Sequence, residues 1–234
     1  TSDSEASSSQ AASEASSQQE EQQEGRFAYP EVEESDMAPS SYFDDALFIG
    51  DSITTGIELY DVMSNAQVIA FTGINPQTYF TREVIELEDG STVTMEEAVR
   101  RADNPGKIYV MMGSNGVAFL DIDTFTDYYG QMLDSIMEAQ PDADIYVQSI
   151  TPVTATLSAS QPAESNEKIN EYNARINQLA GERGLYFVDV NKALADETGA
   201  LPEDASPADG MHFTSAYYQK WLDYLRKHTA ESSL

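Results

Sequence analysis

Residues 46–53 read Ala-Leu-Phe-Ile-Gly-Asp-Ser-Ile, a short apolar run that ends in the polar tripeptide Gly50-Asp51-Ser52. Unbroken apolar runs of this length, without alternating polar residues, are typical of strands covered on both faces of a sheet. Four more such runs follow, at residues 67–71, 107–112, 144–150 and 185–190. The sequence therefore predicts five buried strands, the first of which occupies residues 46–49.

Helical patterns separate the predicted strands. Apolar side chains recur every three or four residues in the ranges 125–137, 169–179 and 217–225, as on the buried face of an amphipathic helix. This alternation predicts an α/β fold, in which right-handed crossovers build a parallel sheet with helices on both faces. Residues 83–94 interrupt it and predict a small hairpin insertion, with Asp89-Gly90 as a type I′ turn.

The composition limits the classes of partner. The formal net charge is -29, and 35 of the 41 acidic residues lie beyond residue 25. Such a surface repels phosphate backbones and anionic headgroups, so it disfavours nucleic acid as a partner and favours neutral or cationic substrates. There is no cysteine, which excludes disulfides, zinc-thiolate sites and cysteine nucleophiles. No apolar stretch approaches the roughly 20 residues of a transmembrane helix, so none is predicted.

The first 25 residues differ from the rest of the chain. They are almost wholly Ser, Ala, Gln and Glu, and such a segment is predicted to be a disordered spacer because it cannot bury enough apolar surface to fold. Residues 26–42 are interpreted as a lead-in segment that packs on the domain through Phe27, Tyr29 and Tyr42, and residues 43–230 as the folded domain. The spacer is similar to the linkers of bacterial surface lipoproteins. That resemblance implies an extracellular, surface-attached protein and leaves room for a lipid anchor upstream of residue 1; an inert tail is the alternative.

Polar residues follow four of the predicted strands. Ser52 follows the first, Gly73 the second and Asn115 the third, while Asp209 and His212 come after the fifth. Because the carboxyl ends of parallel strands meet at one edge of a sheet, these five residues are expected to converge. A serine, a histidine and an aspartate together supply a nucleophile, its base and a carboxylate that orients the base.

Three groups could stabilise an oxyanion. They are the backbone N–H of Ser52 at the start of a predicted helix, the N–H of Gly73 and the side-chain amide of Asn115. The chain has only two histidines and no cysteine, so neither a metal centre nor a cofactor is predicted. The second histidine, His228, follows the last helical pattern and is expected to be solvated on the surface.

These motifs resemble those of the SGNH hydrolases, the GDSL esterase/lipase family. Residues 48–53 resemble the first family block, Gly73 the second, and Met112-Gly-Ser-Asn-Gly116 the third. Asp209-Gly-Met-His212 resembles the last. The resemblance implies a flavodoxin-like three-layer α/β/α sandwich. One departure is that Gly116 stands where the family usually has an aspartate, which puts the position of Asn115 in question.

The resemblance also implies the chemistry. Ser52 would be the nucleophile, Asp209 and His212 would complete the triad, and Gly73 and Asn115 would complete the oxyanion hole. The expected function is a serine esterase that hydrolyses small acyl esters, with O-acetyl groups on carbohydrate or cell-wall glycan as the preferred substrates. The alternatives are a lysophospholipase or short-chain lipase, an O-acyltransferase with the same triad, and a non-catalytic carbohydrate-binding surface protein.

Overall fold

A computed structural model of the chain describes residues 27–230. The predicted spacer, residues 1–25, lies outside the described residues. Within them, no helix is both long and apolar enough to cross a bilayer.

Five parallel strands form the main sheet, as predicted, and two short strands form a separate antiparallel pair. In chain order the strands are β1 (Ala46–Gly50), β2 (Gln67–Ala70), β3 (Ile85–Glu86), β4 (Thr92–Val93), β5 (Lys107–Met111), β6 (Asp144–Gln148) and β7 (Tyr186–Val188). The order across the main sheet is β2-β1-β5-β6-β7. The chain thus builds outward from β1 in both directions, which is the flavodoxin-like arrangement. The prediction that all five strands are buried is wrong for β2, which is partly exposed because it lies at the edge of the sheet.

Eight α-helices surround the sheet within the described residues. They are α1 (Ser52–Leu59), α2 (Met95–Arg101), α3 (Ser114–Phe119), α4 (Ile122–Ala139), α5 (Ala155–Ser160), α6 (Asn166–Glu182), α7 (Asn191–Leu194) and α8 (Ser215–Leu225). Side-chain oxygens cap the first turn of several, including Asp121 on α4 and Ser165 on α6, so free N–H groups at these helix starts are satisfied.

The sheet separates two apolar clusters. Leu47 and Ile49 of β1 lie in one, together with residues of α4 and α6. Phe48, between them, points to the opposite face and lies in the other with Ile57 of α1 and Trp221 of α8. Successive side chains of a strand face opposite sides, so a strand buried on both faces needs an unbroken apolar run. The three-layer α/β/α sandwich is confirmed.

A row of aromatic rings crosses the sheet on the α1 and α8 side. Phe48, Tyr109, Tyr146 and Tyr186 are register partners on β1, β5, β6 and β7. Their ring centroids lie 5.0, 4.6 and 4.9 Å apart in near-parallel stacks. Each such pair contributes about 0.5–1.5 kcal/mol beyond its buried area. The row packs β1, β5, β6 and β7 against one another on this face of the sheet.

The hairpin is present, but its predicted turn type is wrong. Only Asp61 and Asn104 among the described non-glycine residues have positive φ, so Asp89 lacks the left-handed conformation that a type I′ turn requires. Instead the N–H of Gly90 donates to the carbonyl of Leu87 at 2.9 Å, and Gly90 alone has φ +79°. The Asp89 carboxylate accepts from the N–H of Ser91 at 2.9 Å, which favours this longer loop.

The lead-in chain lies along β7 and the ends of α6 and α8. The buried side chain of Asn177 exchanges two hydrogen bonds with the backbone of Tyr29, at 2.9 and 3.0 Å. The N–H of Val32 donates to the carbonyl of Phe187 at 2.8 Å. Further along, the Arg226 guanidinium donates to the carbonyl of Ala38 at 2.8 Å.

This segment also explains why the expectation for His228 is wrong. His228 is only 8% exposed, its ring stacks on Tyr224 at 3.7 Å, and its Nδ1 lies 2.8 Å from the Tyr224 carbonyl oxygen. The lead-in chain covers this helix end, where the N–H of Ser35 donates to the carbonyl of Lys227 at 2.6 Å. Since α8 begins next to His212 and rises about 1.5 Å per residue, His228 lies at the far end of that helix from the candidate site.

Candidate active site

Ser52 lies at the turn between β1 and α1. It is the first residue of α1, and Asp51 before it caps the helix by accepting from the N–H of Ile53 at 3.1 Å. A Cβ on Gly50 would overlap the carbonyl oxygen of Met111, so the strand end requires glycine. This tight turn presents the Ser52 hydroxyl at the carboxyl edge of the sheet.

The structure brings His212 and Asp209 to this hydroxyl. His212 Nε2 lies 2.8 Å from Ser52 Oγ, and His212 Nδ1 lies 2.8 Å from Asp209 Oδ2. The other oxygen of Asp209 accepts from the N–H groups of Met211 and His212, both at 2.9 Å. Gly210, directly after Asp209, has φ +82°, a left-handed conformation. The turn at Gly210 lets the side chains of Asp209 and His212 face the same side. A serine, an imidazole and a carboxylate are therefore linked in one chain of hydrogen bonds.

The environment of Asp209 favours its ionised form. Partial burial raises the pKa of this carboxyl, but the N–H groups of Met211 and His212 and the imidazole of His212 outweigh burial and lower the pKa to about 2. Asp209 is consequently an acceptor at neutral pH, which assigns the hydrogen on His212 to Nδ1 and leaves Nε2 free to accept the proton of Ser52.

The three groups predicted to form an oxyanion hole each keep a hydrogen that no described residue accepts. The N–H of Ser52 has no partner within its helix because it belongs to the first turn, and no described residue accepts from the N–H of Gly73. Gly73 has φ +77°, in the left-handed region. Asn115 Nδ2 donates one hydrogen to the carbonyl of Ile74 at 3.0 Å, and its second hydrogen is available. Gly73 thus lies in the loop after β2, Asn115 in the first turn of α3 and Ser52 at the start of α1, while Asp209 and His212 lie in the loop before α8.

Asn75, the other polar residue after β2, does not join this set. It is 8% exposed, and its side-chain oxygen accepts from the N–H of Thr78 at 2.9 Å. The Asn75 side chain thus fixes the segment that leads into the 3-10 turn Thr78–Phe80, whose N-cap residue is Gln77. No group of three or more His, Cys, Asp or Glu within residues 27–230 has the geometry of a metal site.

Sequence reasoning assigned no role to Asp51, which joins two functional loops. Its carboxylate is fully buried and accepts from the N–H groups of Gly113 and Ser114, both at 3.2 Å, and from the Ser114 hydroxyl at 3.0 Å. Burial is the largest influence and raises the pKa of Asp51 above its ordinary value, while these hydrogen bonds lower it. The signal for this role in the sequence is an acidic residue directly after a buried apolar strand.

The structure also explains Gly116. A Cβ at this position would lie 2.6 Å from Cε2 of Phe125 and 3.3 Å from Cδ of Pro76. The Phe125 ring is completely buried and occupies the space that a side chain would need. The loop is shaped instead by Asp51 and by the bond from Asn115 to Ile74. The Asn115 amide therefore stays in contact with the loop that carries Gly73, although Gly116 stands in place of the aspartate.

The fold is similar to solved structures at low sequence identity. A protein from Streptococcus pneumonia, provisionally described as a platelet activating factor, aligns with a TM-score of 0.62 at 21% identity, over 80% of this chain and 87% of its own. A lipase/acylhydrolase from Enterococcus faecalis aligns with a TM-score of 0.54 at 17% identity, over 80% and 99%. A carbohydrate acetylesterase from Sinorhizobium meliloti aligns with a TM-score of 0.54 at 12% identity, over 77% and 95%.

Sequence comparison adds the family. No curated protein matches the chain. The pattern of the GDSL-like Lipase/Acylhydrolase family, however, matches residues 48–220, which is more than half of the chain and spans every turn described above. The chain therefore belongs to the GDSL-like lipase/acylhydrolase family and is a serine ester hydrolase.

Proposed function

We propose that the protein hydrolyses short acyl esters through an acyl-enzyme on Ser52, and that O-acetyl groups on carbohydrate are its substrates. The observation that carries the proposal is the pair of 2.8 Å contacts that join Ser52 to His212 and His212 to Asp209. This arrangement gives a hydroxyl group a base at hydrogen-bond distance and gives that base a fixed orientation.

In the acylation step, Ser52 Oγ attacks the ester carbonyl carbon and His212 Nε2 takes the hydroxyl proton. Asp209, held ionised, stabilises the imidazolium that forms. The carbonyl oxygen becomes an oxyanion, and the N–H groups of Ser52 and Gly73 and the free amide hydrogen of Asn115 are its donors. When the intermediate collapses, His212 returns the proton to the departing alcohol and the acyl group stays on Ser52.

In the deacylation step, the same groups act on water. His212 takes a proton from a water molecule, the hydroxide attacks the acyl carbonyl, and the second oxyanion uses the same three donors. Collapse releases the carboxylic acid, and His212 gives the proton back to Ser52 Oγ. If a sugar hydroxyl replaces water, the product is a new ester, so only the acceptor distinguishes hydrolysis from acyl transfer.

A small pocket beside the triad supports a short acyl group. Its wall includes Ser114, the neighbour of Asn115, and Met211, the neighbour of His212, together with the apolar Val117, Ile150 and Val153. Its volume is about 10 Å³. That is about the space of one water-sized group, which is too small for a long acyl chain. The pocket therefore favours acetyl esters over the long-chain esters of a lysophospholipase.

The carbohydrate and location parts of the proposal have separate support. The net charge of -29 favours neutral sugars over anionic phospholipids. The fold is also similar to that of the Sinorhizobium meliloti carbohydrate acetylesterase. A surface location, with a lipid anchor upstream of residue 1, is supported by the Ser, Ala, Gln and Glu composition of residues 1–25.

The test combines covalent labelling with turnover. We expect a fluorophosphonate probe to label the protein at Ser52, and Ser52→Ala to lose both labelling and hydrolysis of p-nitrophenyl acetate. Acetylated sugars should release acetate, whereas lysophospholipids should not turn over, and added sugar acceptors would reveal transfer. Labelling or turnover that survives in Ser52→Ala would overturn the assignment.

A further inference from the structure

An arginine contacts the loop that carries Gly73. Arg82 follows the 3-10 turn Thr78–Phe80, and its Nη1 donates to the carbonyl oxygen of Gly73 at 3.1 Å. Its guanidinium carbon also lies 5.6 Å from the ring centroid of Phe71, at the start of the same loop. Two separate interactions therefore join this side chain to the segment between β2 and the oxyanion donor.

We infer that Arg82 is a positioning residue for the ester hydrolysis proposed above: its guanidinium holds the Gly73 peptide so that the Gly73 N–H points at the developing oxyanion. Nothing in the sequence indicates this role. Arg82 lies in no motif, and its contact with Gly73 depends on how the 3-10 turn folds back.

Few other contacts hold the Gly73 peptide itself. Gly73 is exposed and has φ +77°, and the one backbone bond that closes its turn, from the N–H of Ile74 to the carbonyl of Phe71, is long at 3.4 Å. Glycine samples more backbone conformations than any other residue, so a free Gly73 would not keep its N–H in one direction. Arg82 on the Gly73 carbonyl and Asn115 on the Ile74 carbonyl hold successive peptides of the loop.

The positive charge of Arg82 is not paired with a carboxylate of the described residues. Most basic side chains pair with carboxylates, such as Arg100 with Glu96 and Arg183 with Asp134, but Arg82 forms no ion pair with any carboxylate among residues 27–230. The guanidinium presents five donors in a rigid fork and uses one on Gly73. In a chain of net charge -29, this is a positive group beside the position where negative charge forms.

The contribution should appear in the transition state and not in substrate binding. An oxyanion donor has no partner until the carbonyl becomes tetrahedral, so a misdirected Gly73 N–H lowers kcat and leaves KM nearly unchanged. Complete loss of one such donor typically lowers kcat by about 10²- to 10³-fold. An oxyanion donor that is misdirected but still present should lower kcat less, by about 10- to 100-fold.

The experiment compares Arg82→Gln, Arg82→Lys and Arg175→Gln with the unmodified protein on p-nitrophenyl acetate. Arg175 is an exposed arginine on α6 without an ion pair to a described carboxylate, so its replacement removes the same charge away from the site. We expect Arg82→Gln to lower kcat about tenfold or more with KM within twofold, Arg82→Lys to recover part of the loss, and Arg175→Gln to change neither.

A transition-state analogue gives a readout that a loss of stability would not produce. 2,2,2-Trifluoroacetophenone forms a tetrahedral adduct with an active serine, so its inhibition constant should rise in Arg82→Gln by the same factor by which kcat/KM falls. The melting temperature should stay unchanged. Full activity of Arg82→Gln, a change in KM alone, or an equal loss in Arg175→Gln would overturn the inference. Those outcomes would leave the Ser52 proposal standing, because that depends on the loss of turnover in Ser52→Ala.

Discussion

Asp51 holds Ser114 by two hydrogen bonds to one carboxylate oxygen, from the backbone N–H at 3.2 Å and from the hydroxyl at 3.0 Å. The two residues are 63 positions apart in the sequence. One precedes the serine of the candidate site and the other precedes Asn115, so this contact fixes the distance between the proposed nucleophile and one proposed oxyanion donor.

Asp51→Asn should therefore lower both stability and activity. The amide nitrogen of asparagine donates where Gly113 and Ser114 also donate, which leaves buried N–H groups without acceptors. We expect a loss of about 2–4 kcal/mol in the free energy of unfolding, measured with urea, and a lower kcat. Asp121→Asn is the control, since asparagine also caps a helix and Asp121 is exposed. A stable, fully active Asp51→Asn variant would contradict the role of Asp51.

Asp209→Asn should lower kcat with little effect on the fold. The asparagine oxygen can still accept from the N–H groups of Met211 and His212, but its NH₂ group would face His212 Nδ1 and place the ring hydrogen on Nε2. His212 could then no longer accept the Ser52 proton, and we expect a loss of about 10³- to 10⁴-fold, as such tautomer changes produce. Steady-state kinetics on p-nitrophenyl acetate measure it. A loss below tenfold would exclude Asp209 as the orienting carboxylate.

The pH dependence should show one acid limb. A protonated His212 cannot accept the Ser52 proton, so kcat/KM should fall once the solution is acidic enough to charge the imidazole. The pKa of Asp209, about 2 against an ordinary 3.8, keeps this carboxylate ionised and adds no second limb above about pH 4. A pH–rate profile that shows no loss of activity on acidification to about pH 4 would contradict His212 as the base.

The same pKa predicts a change in stability at lower pH. Because the pKa of Asp209 is lower in the folded protein than in the unfolded chain, the unfolded chain binds this proton more tightly. Its contribution to stability is full above about pH 4 and is lost as the pH falls toward 2. Urea unfolding across this range should show a smaller decline in Asp209→Asn.

Gly116→Ala should destabilise the protein. The new Cβ would meet the buried Phe125 ring at 2.6 Å, and overpacking of this kind costs about 1–3 kcal/mol. Gly130→Ala is the matched control, because there the nearest atom is the end of a long side chain, Nη2 of Arg183 at 3.0 Å, and this atom needs to move only slightly. Alanine is the better helix former, so the control should be neutral or slightly more stable. If Gly116→Ala and Gly130→Ala had the same free energy of unfolding in urea, contact with Phe125 would not explain why position 116 is a glycine.

Val117→Ala should widen the acyl pocket. Removal of two methyl groups from its wall should raise the ratio of p-nitrophenyl butyrate to p-nitrophenyl acetate turnover at least several-fold. Val99→Ala removes the same groups from the same apolar cluster without lining the pocket, so it should lower stability similarly and leave the ratio unchanged. An unchanged ratio in Val117→Ala would mean that the acyl group binds elsewhere.

Some of this site could be predicted from sequence because its residues directly follow buried strands. Ser52, Gly73 and Asn115 come a few residues after β1, β2 and β5, and parallel strands bring their carboxyl ends to one edge. The position of the hairpin is predicted correctly, but Asp89 can serve either in a type I′ turn or as an acceptor from the N–H two residues on, and the structure has the second arrangement. The prediction for His228 is wrong because the chain that covers this helix end is distant in sequence: Ser35 and Lys227 are 192 residues apart.

The sequence by itself determined the five strands of the sheet, the three helices with clear apolar faces and the edge at which the polar residues gather, because burial leaves a local periodicity that each element carries alone. Only the tertiary structure decided which atoms meet: His212 with Ser52 at 2.8 Å, Asp51 with Ser114, and Arg82 with Gly73. These contacts join residues that different elements carry, and their distances depend on how the layers pack.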